Sequence, residues 1–210
     1  MLVEVFKISS RFVAQVSREP LGGNNISKGT CVKFAIVLAT SVFLLSCGSH
    51  DLVTKDQGFY KMTVSSVPWL LRFPAEGLEP KEAKLTPDST SGYFLFSEKK
   101  PSSIMPLVVS FYIEPSGNCT TAECLRDKAW ARLKPTLKGC EDIHLSEIGN
   151  AAIVEFSLPA NYLQKHMYAH FYKDGYWIDV HLSQAFFNPE SRGRLVDFVK
   201  SVSFKAKERM

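Results

Sequence analysis

The sequence has no apolar run of the roughly 18 residues that a transmembrane helix needs. Its 25 basic and 21 acidic side chains give a formal net charge of +4, which is too small to indicate nucleic acid as a partner. Nucleophile elbows, glycine-rich phosphate loops, zinc-protease helices and calcium-binding loops are all missing. These absences argue against an integral membrane protein, a nucleic-acid-binding protein and the common enzyme classes, and no cofactor is expected.

An apolar segment leads to a cysteine in the manner of a bacterial lipoprotein signal peptide. Residues 34–45 are mostly apolar, follow Lys33 and continue through Ser46 to Cys47. In such signals the cysteine takes up diacylglycerol and becomes the first residue of the mature protein. We therefore predict lipidation of Cys47 and attachment to the membrane through that lipid. Gly48 favours the periplasmic face of the outer membrane, and a buried helix with a chance cysteine is the alternative.

The position of this signal, far from Met1, predicts four segments. Residues 1–31 are interpreted as sequence upstream of the true start, which would be Val32 if its codon is GTG. The signal peptide then covers residues 32–46, and residues 47–58, which are polar and aperiodic, form a tether. Residues 59–205 form the folded domain.

Three cysteines remain after lipidation, in a compartment where disulfides persist: Cys119, Cys124 and Cys140. Thr120 and Glu123 have the spacing of a capping box that opens a helix. A Cys119–Cys124 bridge would join the preceding loop to the first turns of this helix. Bridges from Cys140 to either of the other two, or a metal bound by the closely spaced pair, are alternatives.

Strand-like and helix-like patterns alternate along the domain. Strands are predicted from β-branched and aromatic content, helices at 121–134 and 190–200 from apolar spacing and capping residues, and a loop at 77–87 from its turn formers. The predicted strands cover residues 59–64, 69–73, 92–97, 107–113, 143–148, 151–158, 165–172, 176–183 and 202–204. This order indicates an α+β fold with a largely antiparallel sheet.

The order of these elements resembles that of the PsbP-like domains. The likeness covers residues 59–205 and includes the opening strand that ends at Pro74, the middle helix, Gly149 at the start of a strand, and the closing helix that leads to Phe204. The resemblance implies a central antiparallel sheet flanked by helices, an α/β/α sandwich. Relatives act as binding or assembly factors, for a photosystem or for the Ran GTPase in nuclear import. None of their functional residues can be transferred to a position here.

The sequence predicts a hairpin with a type I′ turn at Asp174-Gly175, the strongest short-range hairpin signal in the chain. Pairing outward from the turn sets Lys173 opposite Tyr176 and His170 opposite Asp179, and alternate side chains then share a face. One face is apolar and belongs to the core. The other face collects a set of polar and aromatic side chains: His166, Tyr168, His170, Tyr172, Trp177, Asp179, His181 and Ser183.

Two interpretations of that second face remain open. A helix covers it and its polar groups pair with one another, or it is a surface that binds a metal, a small ligand or a protein. The leading functional hypothesis is a lipid-anchored binding or assembly protein of the bacterial envelope without catalytic activity, with an envelope protein as possible partner. The alternative is a metal- or small-ligand-binding protein, or a metal-dependent hydrolase, that uses this face.

Overall fold

A computed structural model describes residues 52–99, 107–159, 163–185 and 187–207. Cys47, the predicted signal peptide and the segment before it lie outside the described residues. Within the described ranges, no helix has the length and apolar character needed to cross a membrane.

The described residues form eleven strands and two α-helices. The strands are β1 (Val53–Asp56), β2 (Phe59–Met62), β3 (Trp69–Pro74), β4 (Leu78–Leu85), β5 (Gly92–Glu98), β6 (Val108–Pro115), β7 (Glu141–Ile148), β8 (Ala151–Pro159), β9 (Leu163–Lys173), β10 (Tyr176–Ala185) and β11 (Ser203–Ala206). The helices are α1 (Ala122–Leu133) and α2 (Arg192–Ser201), with short 3-10 turns at Lys134–Thr136 and Pro189–Ser191.

The strands make two sheets. The smaller sheet has the order β1-β2-β3-β11, and the larger has the order β4-β5-β6-β10-β9-β8-β7. All the pairings are antiparallel. The prediction of an α+β fold with largely antiparallel strands is confirmed.

Aromatic side chains join the two sheets in one core. Phe73 of β3 is fully buried and stacks on Phe111 of β6, with ring centroids 4.7 Å apart. It also meets the edge of Phe96 of β5 at 5.0 Å and the ring of Phe198 of α2 at 5.6 Å. Burial of such large apolar side chains is the main stabilising contribution that the fold offers.

The predicted hairpin is confirmed residue by residue. Asp174 and Gly175 have φ values of 50° and 83°, as a type I′ turn requires. Tyr176 lies opposite Lys173 and Asp179 lies opposite His170. The apolar face of this hairpin belongs to the core, as the alternation predicts.

Three predictions need correction. The segment predicted as a loop at 77–87 contains β4, because pairing with β5 satisfies its backbone despite Pro80. The predicted tether at 47–58 contains β1, which pairs with β2 directly after it. The cap of α1 is Thr121 rather than Thr120, since the Thr121 hydroxyl accepts a hydrogen bond from the Cys124 amide at 3.2 Å.

Candidate functional site

Helix α1 packs on the second face of the hairpin. It contacts β8 and β9, and its buried side chains Leu125 and Ala129 cluster with Trp177 of β10 and with Cys119. Tyr172 of β9 packs against the same cluster. The interpretation in which a helix covers this face therefore describes the structure.

The residues of the predicted binding surface are brought together, but mostly out of solvent. His166, His170 and Trp177 are buried, and Tyr168, Tyr172, Asp179 and His181 are partly buried. We call the interior set His166, Tyr168, His170, Asp179 and His181 the polar cluster. In this conformation the polar cluster is an interior layer between the sheet and α1 and offers little area for docking a protein.

Two histidines of the polar cluster bind each other. His166 Nδ1 and His181 Nε2 are 2.9 Å apart, so one imidazole donates a hydrogen bond to the other. The Tyr168 ring stacks on the His181 ring with centroids 4.0 Å apart and planes inclined by 5°, and Phe156 of β8 stacks on His166 at 5.1 Å. Cross-strand neighbours thus form a continuous stack of rings on this face.

The third histidine has a defined tautomer. The Trp177 indole Nε1–H donates to His170 Nδ1 at 3.1 Å, which leaves the ring proton of neutral His170 on Nε2. Asp179 Oδ1 lies 3.5 Å from the same Nδ1 atom. That separation would suit an ion pair, but the acid–base properties of both groups oppose one.

Burial governs the protonation of the polar cluster. It lowers the pKa of His170 to about 3, assisted by the nearby Arg126 charge, and lowers that of His166 to about 4. Burial also places the pKa of His181 well below its usual value. It raises the pKa of Asp179 to about 8, with a further contribution from the charge of Glu114. At pH 7 the three imidazoles are neutral and Asp179 is mainly the protonated acid.

Strand β6 adds two residues that the sequence analysis did not include. The register sets Tyr112 opposite Asp179 and Glu114 opposite Trp177. Burial raises the pKa of Tyr112 to about 12, with contributions from the Glu114 charge and from a hydrogen bond between the two side chains. Burial likewise raises the pKa of Glu114. The alternation of residues 107–113 indicates a strand, but it does not say that β10 is its neighbour.

Two buried atoms of the polar cluster have no hydrogen-bond partner in the described part of the chain. They are His166 Nε2 and Asp179 Oδ1. Such atoms are costly to bury, so they mark the places where a small polar molecule would gain most by binding. Among the residues that the structure describes, no three His, Cys, Asp or Glu side chains are arranged to hold a metal ion.

Of the disulfide pairings considered, the structure contains the one between the two cysteines that are closest in sequence. Cys119 and Cys124 form a disulfide with Cα atoms 5.6 Å apart, and Cys140 is a free thiol. The bridge joins the loop before α1 to its first turn. It therefore holds the beginning of the helix that covers the polar cluster.

Helix α2 carries charge pairs that the sequence pattern did not reveal. Arg192 donates from Nε to Glu155 Oε2 at 2.9 Å, and Arg194 binds Glu98. Both glutamates are buried, at 1% and 8% exposure. Because each carboxylate has a guanidinium partner, these groups fix α2 to the large sheet.

The chain matches no protein-family model, and no curated protein shows significant similarity to it.

Proposed function

We propose that this chain is a lipid-anchored binding or assembly protein of the bacterial envelope, without catalytic activity of its own. The observation that carries the envelope part of the proposal is the Cys119–Cys124 disulfide, because disulfides persist in oxidising compartments and are rare in the cytosol. It fits the lipoprotein-type signal that ends at Cys47. Under this proposal residues 1–31 are not part of the protein, residues 32–46 are removed, and Gly48 directs the chain to the outer membrane.

We further propose that the α+β fold of this chain is that of a PsbP-like domain. Support comes from the order of strands and helices from β3 to β11, which follows the order that suggested the resemblance except for the additional strand β4. The arrangement proposed is a sheet with α1 and α2 packed on opposite faces. In this family such a domain serves binding and assembly, which agrees with the proposed function.

Cys47→Ala tests the anchor. In a bacterial host, the wild-type protein is expected in the outer-membrane fraction with the gel mobility of a processed lipoprotein. The variant is expected as an unprocessed or soluble form, and globomycin should cause the wild-type precursor to accumulate. Cys140→Ala is the matched control, because it removes a thiol of the domain and should leave fractionation unchanged. Identical fractionation and mobility of Cys47→Ala and wild type would contradict the anchor.

A small-ligand-binding protein is the second candidate, and the unpartnered His166 Nε2 and Asp179 Oδ1 atoms favour it. Native mass spectrometry of the purified full chain would show the bound molecule or metal as an added mass. That mass should be lost in the His166→Ala, His181→Ala double variant, provided the variant keeps its circular dichroism spectrum. A native mass equal to that of the chain alone would contradict this candidate.

A further inference from the structure

Strand β7 is an open edge of the large sheet. It pairs with β8 on one side, and no strand of the described ranges pairs with its other side. In an antiparallel strand, alternate N–H and C=O groups point away from the existing partner, so this side presents unused hydrogen-bonding groups. The register is regular from His144 to Ile148, after an irregularity between Glu141 and His144.

Exposed apolar side chains accompany this open edge. Ile143 and Leu145 are 43% and 46% exposed, and the large apolar side chains with such exposure in the described part of the chain are these two and Leu163. Leu145 lies opposite Val154 of β8, which is buried. The edge therefore offers apolar contact beside its free backbone groups.

The other edges of the two sheets carry the features that discourage pairing. Strand β4, at the opposite edge of the large sheet, contains Pro80, Lys81 and Lys84 and has a register shift after Pro80. The edges of the small sheet, β1 and β11, are only four residues long and each contains a lysine. Proline, lysine, bulges and short length are the usual protection of a sheet edge. Strand β7 has eight residues and neither proline nor lysine, and its one irregularity lies before His144, which leaves residues 144–148 regular.

The charge of β7 is acidic. Glu141, Asp142 and Glu147 are exposed, and the strand contains no Lys or Arg. A second copy of β7 would bring six carboxylates to one seam, which like-charge repulsion disfavours. A strand with lysine or arginine side chains would instead be complementary.

We propose that β7 accepts an extended segment of a partner protein as an eighth strand, and that this segment carries apolar side chains beside Ile143 and Leu145 and basic side chains beside the carboxylates. Backbone hydrogen bonds along residues 144–148 supply most of the attraction, Ile143 and Leu145 contact the apolar side chains, and the carboxylates pair with the basic ones. This inference rests on the proposed binding function and names its surface and its class of partner.

The test uses the full chain and a fluorescent probe peptide of eight residues that carries valine and lysine on one face of the extended strand, with threonine at the alternate positions. Its dissociation constant is measured by fluorescence anisotropy, and hydrogen exchange follows the amides of residues 144–148. A peptide with glutamate in place of lysine is the control for charge. We expect binding of the lysine peptide alone, with slower exchange in β7 and weaker binding as salt is added.

Two variants locate the contact. The Ile143→Lys, Leu145→Lys double variant should weaken binding of the probe at least about tenfold, because lysine is a protecting residue at an edge. Leu163→Lys is the matched control, since Leu163 is similarly exposed at 41% but lies on β9, and its affinity should equal that of wild type. Circular dichroism confirms that both variants are folded.

Four outcomes overturn the inference. These are equal affinity in the double variant and wild type, protection confined to another strand, equal binding of the glutamate peptide, and concentration-dependent dimers with β7 protected but no peptide bound. The last outcome would assign the edge to a second copy of this chain. The anchoring experiment on Cys47 is independent, so failure at β7 with a confirmed anchor leaves the proposed function standing without this surface.

Discussion

At the residue scale, the contact between His170 and Asp179 shows how burial decides the chemistry of a polar pair. The Nδ1 and Oδ1 atoms are 3.5 Å apart, and in water an aspartate and a histidinium at that distance would attract. Burial lowers the pKa of the histidine to about 3 and raises that of the aspartic acid to about 8. Near neutral pH both groups are therefore mainly uncharged, and the interaction is a dipolar one.

Asp179→Asn should remove a loss of stability that we expect of the wild-type protein as the pH rises towards 8. The pKa of Asp179 is raised from 3.8 to about 8 in the folded state, so the folded protein keeps a proton that the unfolded chain has released. This contribution to the free energy of unfolding is complete below the unfolded pKa and is lost as the pH rises through about 8. Asparagine resembles the protonated acid and does not ionise. Urea unfolding at several pH values between about 6.5 and 9 measures the slope.

The pH range of that experiment avoids the buried histidines. The pKa values of His166 and His170 are lowered, so their effect on stability lies below about pH 6.5, where the unfolded chain binds the protons. Asp174→Asn in the exposed turn is the control and should keep the wild-type slope. An unchanged slope in Asp179→Asn would contradict the assignment.

Part of the candidate site could be predicted at this scale. Alternation along the hairpin places His170 opposite Asp179 and both beside His181, because a two-residue turn fixes the register of its own strands. Tyr112 and Glu114 could not be assigned, since they reach the polar cluster through pairing of β6 with β10. The sequence between those strands contains no turn that would fix their register.

At the element scale, β4 shows why one strand was predicted as a loop. Its residues include Pro80 and four charged side chains, and Gly77 precedes it. These features usually indicate a turn. They are compatible with an edge strand, because proline needs no ladder partner on the solvent side. Position in the sheet, which local pattern does not report, decided the outcome.

Gly92→Ala should destabilise the protein by about 1–3 kcal/mol through crowding at the start of β5. A Cβ atom at Gly92 would lie 2.8 Å from Phe94 Cε2 and 2.9 Å from Val64 Cγ2. Gly193→Ala in α2 is the matched control, because its Cβ meets no atom within 4 Å and alanine favours a helix. Chemical denaturation of both variants measures the difference. A Gly92→Ala protein as stable as Gly193→Ala would show that the neighbours move aside freely.

At the scale of the whole described domain, the α+β class and the antiparallel pairing followed from the order of patterns. The division into two sheets did not, because it depends on β3 meeting β11 and β6 meeting β10. These pairs are far apart in sequence. The alternation of apolar residues identifies the buried face of each strand, but it does not identify the strand with which it pairs. Helix α1 was predicted, but its packing on β8 and β9 was not, because it depends on the same long-range strand pairings.

Phe73→Ala should lower the free energy of unfolding by about 3–5 kcal/mol, the range for deleting a buried aromatic ring. Phe73 is fully buried and touches rings from β5, β6 and α2, so the cavity would open between the two sheets. Phe59→Ala should cost less, because that ring is only partly buried, beneath the Arg72 guanidinium. Urea unfolding followed by circular dichroism measures both, and equal losses would contradict a shared core at Phe73.

The pairing of β11 with β3 also sets the time at which this domain can fold. Ser203 bonds back to Arg72 across 131 residues, so the smaller sheet lacks a strand until Ser203–Ala206 has been synthesised. While the ribosome is adding the residues between β3 and β11, the closing contact cannot form. A nascent chain of this kind stays incompletely folded for longer than one whose contacts are mostly local. For the envelope location proposed above, this delay would let secretion machinery that threads unfolded polypeptides act before the fold has closed.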